Sequence, residues 1–218
     1  MQTLAKQILK ISYELGLSHI GSCLSILPIL IEIYGKKNSQ DIVILDNAHA
    51  HLAHLLFIQR FNVEKFIKWD IHCNRKVGCD ASGGSLGHGI GIGIGYALTD
   101  RNRDVYVVTS DGAMNEGSNW EALRLRSQLN LTNLKIYVNW NGYTATDKSD
   151  SELIEGMIGA TTVKNNVYKG GIHMVHTTNG ISFLNGINGH YDVLTKETYE
   201  KAIKEIDDNE KLAKDLDI

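Results

Sequence analysis

The chain has 218 residues, 43% of them hydrophobic, and a formal net charge of -3 at pH 7. This length and apolar content allow a substantial core, so we expect one domain over residues 1–218 rather than two. Basic residues neither outnumber acidic ones nor cluster, which argues against a nucleic-acid-binding protein.

The N-terminal stretch and the cysteines indicate the compartment. The stretch MQTLAKQILKISYEL is amphipathic and interrupted by charged residues, so it is neither a signal sequence nor a membrane span. Cys23, Cys73 and Cys79 contain no CxxC pair and leave an odd thiol, so no disulfide framework is expected. We therefore predict a cytoplasmic protein that does not contact membranes.

The first predicted elements are two helices. Apolar residues recur at helical spacing over residues 1–16, and Gly16 ends that helix. A second helix is predicted over residues 26–34, with Ser25 as its N-cap. His19 should therefore lie in the loop between the two helices.

A short buried strand is predicted over residues 41–46, and it leads through His49 into a helix. Residues 62–82 have no regular pattern, and glycine then recurs densely over residues 83–95. Each glycine in a helix costs roughly 1 kcal/mol relative to alanine. A helix of about residues 89–98 therefore requires that another element or a ligand packs closely against its backbone.

The central stretch predicts a βαβ unit, with strands over residues 105–109 and 134–139 and a helix over about 115–129. Both strands are continuous apolar runs, as expected of parallel strands buried on both faces. The predicted fold class is α/β, a mostly parallel sheet with helices on both faces. Asp111, with Asn139 and Asn141, falls at the carboxyl edge of that sheet, where ligands of such folds bind.

The C-terminal third is less regular. We assign no element to the polar residues 147–170, a strand to 171–178, and a loop to the following residues. A charged amphipathic helix then begins after Thr195, which is its predicted N-cap.

Two interpretations of the sheet edge remain open on spacing alone. The carboxylate of Asp111 and the amide oxygen of Asn141 are hard ligands suited to Mg²⁺ or Ca²⁺. Equally, each residue precedes a glycine, and Asp-Gly and Asn-Gly pairs are common turns without any ligand.

Resemblance to a known family favours the metal site. SDG, followed by EG at Glu116, then WEAL and LTNLKIYVNWN, resembles the thiamine-diphosphate motif of transketolases. Further segments resemble that family in the same order: SHIGSCLS, LDNAHA, IHCNRKVGCDASGGSLGHG and HTTNGISFLNGINGHYDVL. The resemblance implies the thiamine-diphosphate-binding fold of the family's first domain, with thiamine diphosphate and Mg²⁺ as cofactors.

The resemblance also implies the ligands of the diphosphate. The side chains of Asp111 and Asn141 and the backbone carbonyl of Tyr143 match the metal ligands. Gly112 matches the glycine whose N–H approaches the diphosphate. His49 and His190 match histidines that contact the diphosphate or the reacting centre, and His190 is expected to take part in both roles.

Other matched positions concern the substrate and the pyrimidine ring. His19 and His72 match histidines that hydrogen-bond substrate hydroxyls and move protons, and Gly84 and Leu86 match residues that contact the aminopyrimidine. Glu116 matches a glutamate in a polar network that joins active sites across a dimer interface.

The implied activity is transfer of a two-carbon ketol unit from a ketose to an aldehyde, on sugar or sugar-phosphate substrates. The family's activating glutamate lies in a pyrimidine-binding domain beyond the matched part, so we expect a second subunit that supplies it. A homodimer within a heterotetramer is the expected assembly. Two rivals remain: another thiamine-diphosphate carboligase, resembling deoxyxylulose-phosphate synthase or acting in branched-sugar biosynthesis, and a non-catalytic homologue acting as a binding module.

The chain departs from the family pattern at several positions. Ser110 replaces a glycine, Cys73 replaces a proline, and Asn47 and Ala48 stand where the family has lysine or asparagine and then glycine before the histidine. These changes remove no implied metal ligand, but they alter the substrate side of the site.

Three further patterns are weaker: a transition-metal site at His49, His51 and His54, a dinucleotide fingerprint in GHGIGIGIG, and a zinc or redox pair of cysteines beside His72.

Overall fold

A computed structural model describes residues 1–58, 63, 67, 72–162, 171–184 and 186–215. The helices are α1 (Gln2–Leu15), α2 (Ile20–Ser25), α3 (Leu27–Lys36), α4 (His51–Ile58), α5 (Gly89–Thr99), α6 (Gly117–Gln128), α7 (Ser151–Thr162), α8 (Asn188–Tyr191) and α9 (Lys196–Asp215). The strands are β1 (Ile42–Leu45), β2 (Val105–Ser110), β3 (Leu134–Trp140) and β4 (Ile172–His176). Part of the stretch predicted to be irregular, residues 62–82, lies outside the described residues.

The four described strands form one parallel sheet in the order β1-β2-β3-β4. Leu45 pairs with Val108, and Ser110 pairs with Asn139, so the strands are in register and their carboxyl ends meet at one edge. The predicted parallel α/β sheet is confirmed, and the edge it creates is where the candidate site residues were expected.

Both faces of the sheet are covered by helices. Leu45 and Val108 pack into a core with α1, α2, α3, α4 and α9. Val107 and Ile136, which point the other way, pack with α5, α6 and α7. This arrangement explains why the strand sequences lack polar alternation, since each strand residue meets a hydrophobic layer on its own side.

The glycine-rich helix α5 packs closely on the sheet along one side only. A Cβ atom at Gly89 would lie 2.5 Å from the Asp46 Cβ, and one at Gly93 would lie 2.6 Å from the Val107 Cγ2. Gly91 and Gly95, on the exposed side, have no heavy atom within 4 Å of such a Cβ. The predicted close approach to this helix is therefore confirmed for two of its glycines.

We expect Gly93→Ala to destabilise the fold by about 1–3 kcal/mol, because the added methyl group must displace the packed side chain of Val107. Gly95→Ala in the same helix is the matched control. It meets open space and should gain up to about 1 kcal/mol of helix propensity. Urea denaturation of both variants beside the wild type checks this, and equal stability of the two variants would contradict the close contact.

Local differences from the sequence-based predictions have simple causes. The prediction of Ser25 as an N-cap is wrong: Ser25 ends α2, and its hydroxyl donates to the Ser22 carbonyl oxygen at 3.1 Å. Thr195 does cap α9, because its Oγ1 accepts from the Thr198 N–H at 3.2 Å. Helix α7 lies in the stretch to which no element was assigned, although Ile154 on its inner face is buried.

Within the described ranges, no helix combines the length and apolarity that a bilayer span requires. Cys23, Cys73 and Cys79 are buried free thiols in the structure.

Candidate active site

A cleft opens at the carboxyl edge of the sheet. All but one of the residues that the family resemblance singled out line it: His19, His49, His72, Gly84, Leu86, Asp111, Gly112, Asn141, Tyr143 and His190. These residues come from loops far apart in the sequence, and the sheet edge brings them together.

Asp111 lies at the base of the cleft, directly after β2, and is fully buried. One carboxylate oxygen accepts the N–H groups of Gly142, at 2.8 Å, and Tyr143, at 3.1 Å, while the other accepts the Gly112 N–H at 3.0 Å. Burial raises the pKa of Asp111 to about 6, although these N–H groups act in the opposite direction. A cation beside this carboxylate would offset the cost of burying its charge.

Asn141 and Tyr143 complete an oxygen-rich set beside Asp111. The Asn141 side-chain oxygen accepts the Tyr143 N–H at 3.0 Å, and Gly142 makes the turn between them with a φ of 86°. A carboxylate oxygen, an amide oxygen and a backbone carbonyl are together a ligand set suited to Mg²⁺ or Ca²⁺. The donors present therefore fit the metal that the resemblance implies.

Asn47 is a second sign that this cleft takes a polar ligand. Its side chain is only 1% exposed and lines the cleft, yet neither its amide nitrogen nor its amide oxygen has a hydrogen-bond partner. Leaving a buried amide unsatisfied costs about 1–3 kcal/mol per group. A bound ligand with donor and acceptor atoms, such as a diphosphate or a sugar, would remove that cost.

Three histidines form a cluster on one wall. The ring of His19 lies 5.0 Å from that of His49 and 6.3 Å from that of His190, and the rings of His49 and His190 are 6.1 Å apart. His72 lies nearby, where a Cβ at Gly84 would be 3.7 Å from its ring. The cleft thus presents several imidazole groups to one ligand.

The lowered pKa values of His19, His49 and His190 keep these three imidazoles neutral near pH 7. Burial, followed by the proximity of His19 and His190, lowers the pKa of His49 to about 3. The pKa values of His19 and His190 are also lowered, again chiefly by burial. Neutral imidazole both donates and accepts hydrogen bonds, so these rings can orient hydroxyl groups and take up or release a proton.

We expect acidification to destabilise the protein partly through His49. Below its unfolded pKa of about 6.5, unfolded His49 binds a proton that the folded chain does not bind, so the free energy of unfolding falls with pH. Between about pH 7 and about pH 5, the free energy of unfolding should therefore fall by at least about 1 kcal/mol less for His49→Gln than for the wild type.

Urea denaturation at both pH values measures this difference. Asp111, whose pKa is raised to about 6, acts in the opposite sense, but it does so in both proteins and cancels in the comparison. Parallel pH profiles for the two proteins would contradict a neutral, buried His49.

His19 has an unusual backbone. It precedes α2 with a φ of 62°, in the left-handed region that residues other than glycine rarely adopt. Its N–H donates to the His190 carbonyl oxygen at 2.9 Å, and the Ser18 hydroxyl lies 2.9 Å from its Nδ1. Such a conformation costs about 1–3 kcal/mol and concentrates at functional sites. Here it accompanies an imidazole that lines the cleft.

Glu116 is the residue matched to the family's site that does not line the cleft. It is exposed at the start of α6, next to Gly87, where an added Cβ would lie 2.5 Å from the Glu116 Cβ. Its implied place in a contact between subunits stays a prediction.

Other residues were missed or only partly anticipated. Ser22 lines the cleft, and its hydroxyl lies 3.2 Å from the His190 Nδ1. Asn139 also lines it, but its amide is already bonded to the hydroxyls of Ser25, at 2.9 Å, and Thr177, at 2.6 Å. Its position at the end of β3 was a usable signal, whereas nothing in the sequence marked Ser22.

Asp46, at the end of β1, is the centre of a buried network behind the cleft. One of its oxygens accepts the Gly89 N–H at 2.8 Å. The other accepts the Thr109 hydroxyl at 2.9 Å and the Asn119 amide at 2.8 Å. The carboxylate thereby joins β1, β2, α5 and α6 at the sheet edge.

The known proteins to which this chain is similar include transketolases and transketolase subunits. No protein-family profile matches the chain. A subunit of the apulose-4-phosphate transketolase of Phocaeicola vulgatus is 24% identical over 266 aligned positions, which cover 96% of this chain and 94% of that protein. The 6-deoxy-6-sulfo-D-fructose transketolase subunit SqwG of a Clostridium species is 28% identical over 66% of this chain and 65% of that protein. A solved transketolase from Campylobacter jejuni superposes with a TM-score of 0.70 at 18% identity. The chain is thus similar in sequence to transketolase subunits over most of its length, and it shares the fold of solved transketolases.

The similarity to the solved transketolase extends over only part of that protein. The superposition covers 94% of this chain but only 43% of the Campylobacter protein, so the chain spans less than half of that transketolase. The alignment with the Phocaeicola protein runs over more positions than this chain has residues, so that protein contains insertions that are absent here.

Proposed function

We propose that this chain is the diphosphate-binding subunit of a thiamine-diphosphate-dependent transketolase-like enzyme, which moves a two-carbon ketol unit from a ketose to an aldehyde. The observation that carries the proposal is the convergence of nearly all family-matched residues on one cleft at the sheet edge. We further propose that residues 1–218 form a single cofactor-binding domain and that the enzyme is cytoplasmic.

We assign each part of the cofactor to residues of the cleft. Asp111 and Asn141, with the carbonyl of Tyr143, would hold Mg²⁺. The Gly112 N–H and the rings of His49 and His190 would contact the diphosphate, and Gly84 and Leu86 would contact the aminopyrimidine. When bound there, thiamine diphosphate supplies the nucleophile that breaks the carbon–carbon bond next to the ketose carbonyl.

The chain's own histidines would then act on the substrate. His19 and His72 line the cleft beside the diphosphate-side histidines. The ring nitrogens of a neutral imidazole accept a proton from one hydroxyl and return it to another atom, a step in which such groups typically contribute 10²- to 10⁴-fold to the rate. Asn47, whose amide has no partner, would fix a further hydroxyl or phosphate oxygen.

The substrate class is a sugar or sugar phosphate. The names of the relatives specify apulose 4-phosphate and 6-deoxy-6-sulfo-D-fructose, both polyhydroxylated and anionic. Among the described residues that line the cleft, none is lysine or arginine. We infer that any anionic end of the substrate is bound by residues of another chain.

A second chain is therefore part of the proposal. It would carry the pyrimidine-binding domain, and two copies of each chain would form a heterotetramer. Support comes from the Phocaeicola relative, which is named as one subunit of a transketolase and is matched over 94% of its length. Glu116 and the exposed side of α5, where Ile92 is 36% and Leu98 45% exposed, are the surfaces we assign to contacts between chains.

The experiment is reconstitution. This chain and a co-expressed protein from an adjacent gene that carries the pyrimidine-binding domain are assayed, together and separately, with Mg²⁺ and thiamine diphosphate. Donors are a panel of ketoses and ketose phosphates, acceptors are aldehydes, and mass spectrometry detects products two carbons longer. We expect transfer only with both chains.

The outcomes separate the parts of the proposal. Efficient transfer by this chain alone would overturn the two-chain assembly but not the activity. An assembled pair that binds thiamine diphosphate but transfers no ketol unit from any donor would overturn the proposed reaction and favour a different carboligase or a non-catalytic homologue.

A further inference from the structure

A second group of potential metal ligands lies behind the cleft wall. His51 and His54 are three residues apart on α4 and therefore share one side of the helix. Cys73 and Cys79 flank the short turn of residues 75–77, and the Cys79 sulfur contacts both histidines. All four side chains are buried, with exposed fractions of 0%, 1%, 3% and 5% in that order.

The distances suit tetrahedral coordination. The Cys79 sulfur lies 3.4 Å from the His51 Nε2 and 4.0 Å from the His54 Nδ1. The ligand atoms of His51, Cys73 and Cys79 all lie within 4.8 Å of one another. Around a tetrahedral zinc ion, bond lengths of about 2.3 Å to sulfur and 2.1 Å to nitrogen separate neighbouring ligand atoms by about 3.6 Å. Small side-chain rotations would bring His51, Cys73 and Cys79 to that geometry, and His54, whose Nδ1 lies 4.0 Å from the Cys79 sulfur, would supply the fourth ligand.

The surroundings favour a thiolate at Cys79. Its pKa is lowered by its hydrogen bond with Cys73 and, to a lesser extent, by those with His51 and His54, while burial opposes them. By contrast, burial raises the pKa of the Cys23 thiol to about 12.

His54 is oriented for ligation as well. Its Nε2 lies 2.8 Å from the Tyr34 hydroxyl, which leaves Nδ1 on the side of Cys79. Histidines that ligate metals commonly bond through their other ring nitrogen to a protein group that fixes the ring. Tyr34 provides such a group here.

We propose that His51, His54, Cys73 and Cys79 bind a structural zinc ion, separate from the magnesium ion assigned to Asp111. Two thiolates and two imidazoles are a ligand set that selects Zn²⁺ over Mg²⁺ or Ca²⁺, which take oxygen ligands. Binding displaces the thiol protons and leaves the site closed to substrate.

The ion would stabilise one wall of the cleft. The segment between His72 and Leu86 has little regular structure, and it places both of these residues in the cleft. Within it, the Gly83 N–H donates to the Cys73 carbonyl oxygen at 3.0 Å. Zinc ligation at Cys73 and Cys79 would tie this segment to α4, which follows directly from the loop that holds His49.

The first test is metal analysis of the whole chain, purified under reducing conditions without chelators and without a metal-affinity column. We expect about one zinc ion per chain. Cys79→Ser and His51→Ala should lose it, whereas Cys23→Ser, which removes a buried thiol outside the group, should retain it. Asp111→Ala should also retain zinc, which separates this site from the cofactor site.

A second measurement covers the case in which a ligand variant fails to fold. Co²⁺ added to the reduced, zinc-depleted wild-type chain should give thiolate-to-cobalt charge-transfer absorption, and Zn²⁺ should abolish it. A wild-type chain that holds no zinc and gives no such absorption would overturn the proposal. Loss of zinc from Cys23→Ser to the same extent as from Cys79→Ser would also overturn it.

Thiol counting excludes the remaining explanation. Under denaturing, non-reducing conditions, a protein that contains a Cys73–Cys79 disulfide would show only the thiol of Cys23, and that result would replace the zinc site with a disulfide. None of these measurements depends on ketol transfer, so their outcome leaves the proposed function untouched.

Discussion

Asp111→Ala is expected to weaken the binding of thiamine diphosphate in the presence of Mg²⁺ by more than about 100-fold. Changes to residues that only support a metal ligand already cost about 10- to 100-fold, and Asp111 would be a ligand itself. The remaining oxygens of Asn141 and Tyr143 are uncharged, so the variant would hold the metal ion weakly, and without the metal ion nothing would neutralise the diphosphate. Calorimetric titration of the cofactor with Mg²⁺ present measures the loss.

Two variants sharpen this experiment. Asp111→Asn keeps the shape of the side chain and should lose nearly as much affinity, because the charge is what the metal ion requires. Asp147→Ala removes an exposed carboxylate from the same side of the sheet and should bind the cofactor as the wild type does. Near-native affinity of Asp111→Ala, with an unchanged circular dichroism spectrum, would contradict the metal assignment.

His72→Ala and His19→Ala are expected to lower turnover of the assembled enzyme by roughly 100-fold or more, the range typical of lost proton transfer. Cofactor affinity should change little, since both side chains are assigned to substrate hydroxyl groups. Steady-state kinetics and a cofactor titration on the same preparations separate the two effects. If either variant lost cofactor affinity in proportion to its turnover, that histidine would belong to the diphosphate contacts instead.

The backbone of His19 requires its own control. Its φ of 62° is more readily adopted by asparagine than by alanine, so His19→Ala adds strain to the loss of the imidazole. His19→Asn keeps a polar side chain in that conformation and isolates the contribution of the ring. His176→Ala, at an exposed histidine outside the cleft, should leave turnover unchanged.

The sheet edge could be predicted because strand and turn signals are local. The continuous apolar runs that end at Asp111 and Asn139 predicted two neighbouring strand ends. The parallel register of β2 and β3 brings these two ends together at the cleft. Helix α7 was missed because its polar residues obscure a short apolar side around Ile154. The histidine and cysteine group could not be assembled from the sequence, since His51 and Cys79 meet only when α4 packs against a distant turn.

The hydrogen bonds of Asp46 couple the segments that form the carboxyl edge of the sheet. Its three donors, on Gly89, Thr109 and Asn119, lie 43, 63 and 73 residues away along the chain. None of these bonds can exist until the segments that carry them have met, and a partly assembled edge would leave a buried carboxylate unsatisfied. The ends of β1 and β2 and the start of α5 should therefore open and close as one cooperative unit, with amide hydrogens that exchange together. The floor of the cleft is then either fully formed or absent, and a ligand meets it already in place.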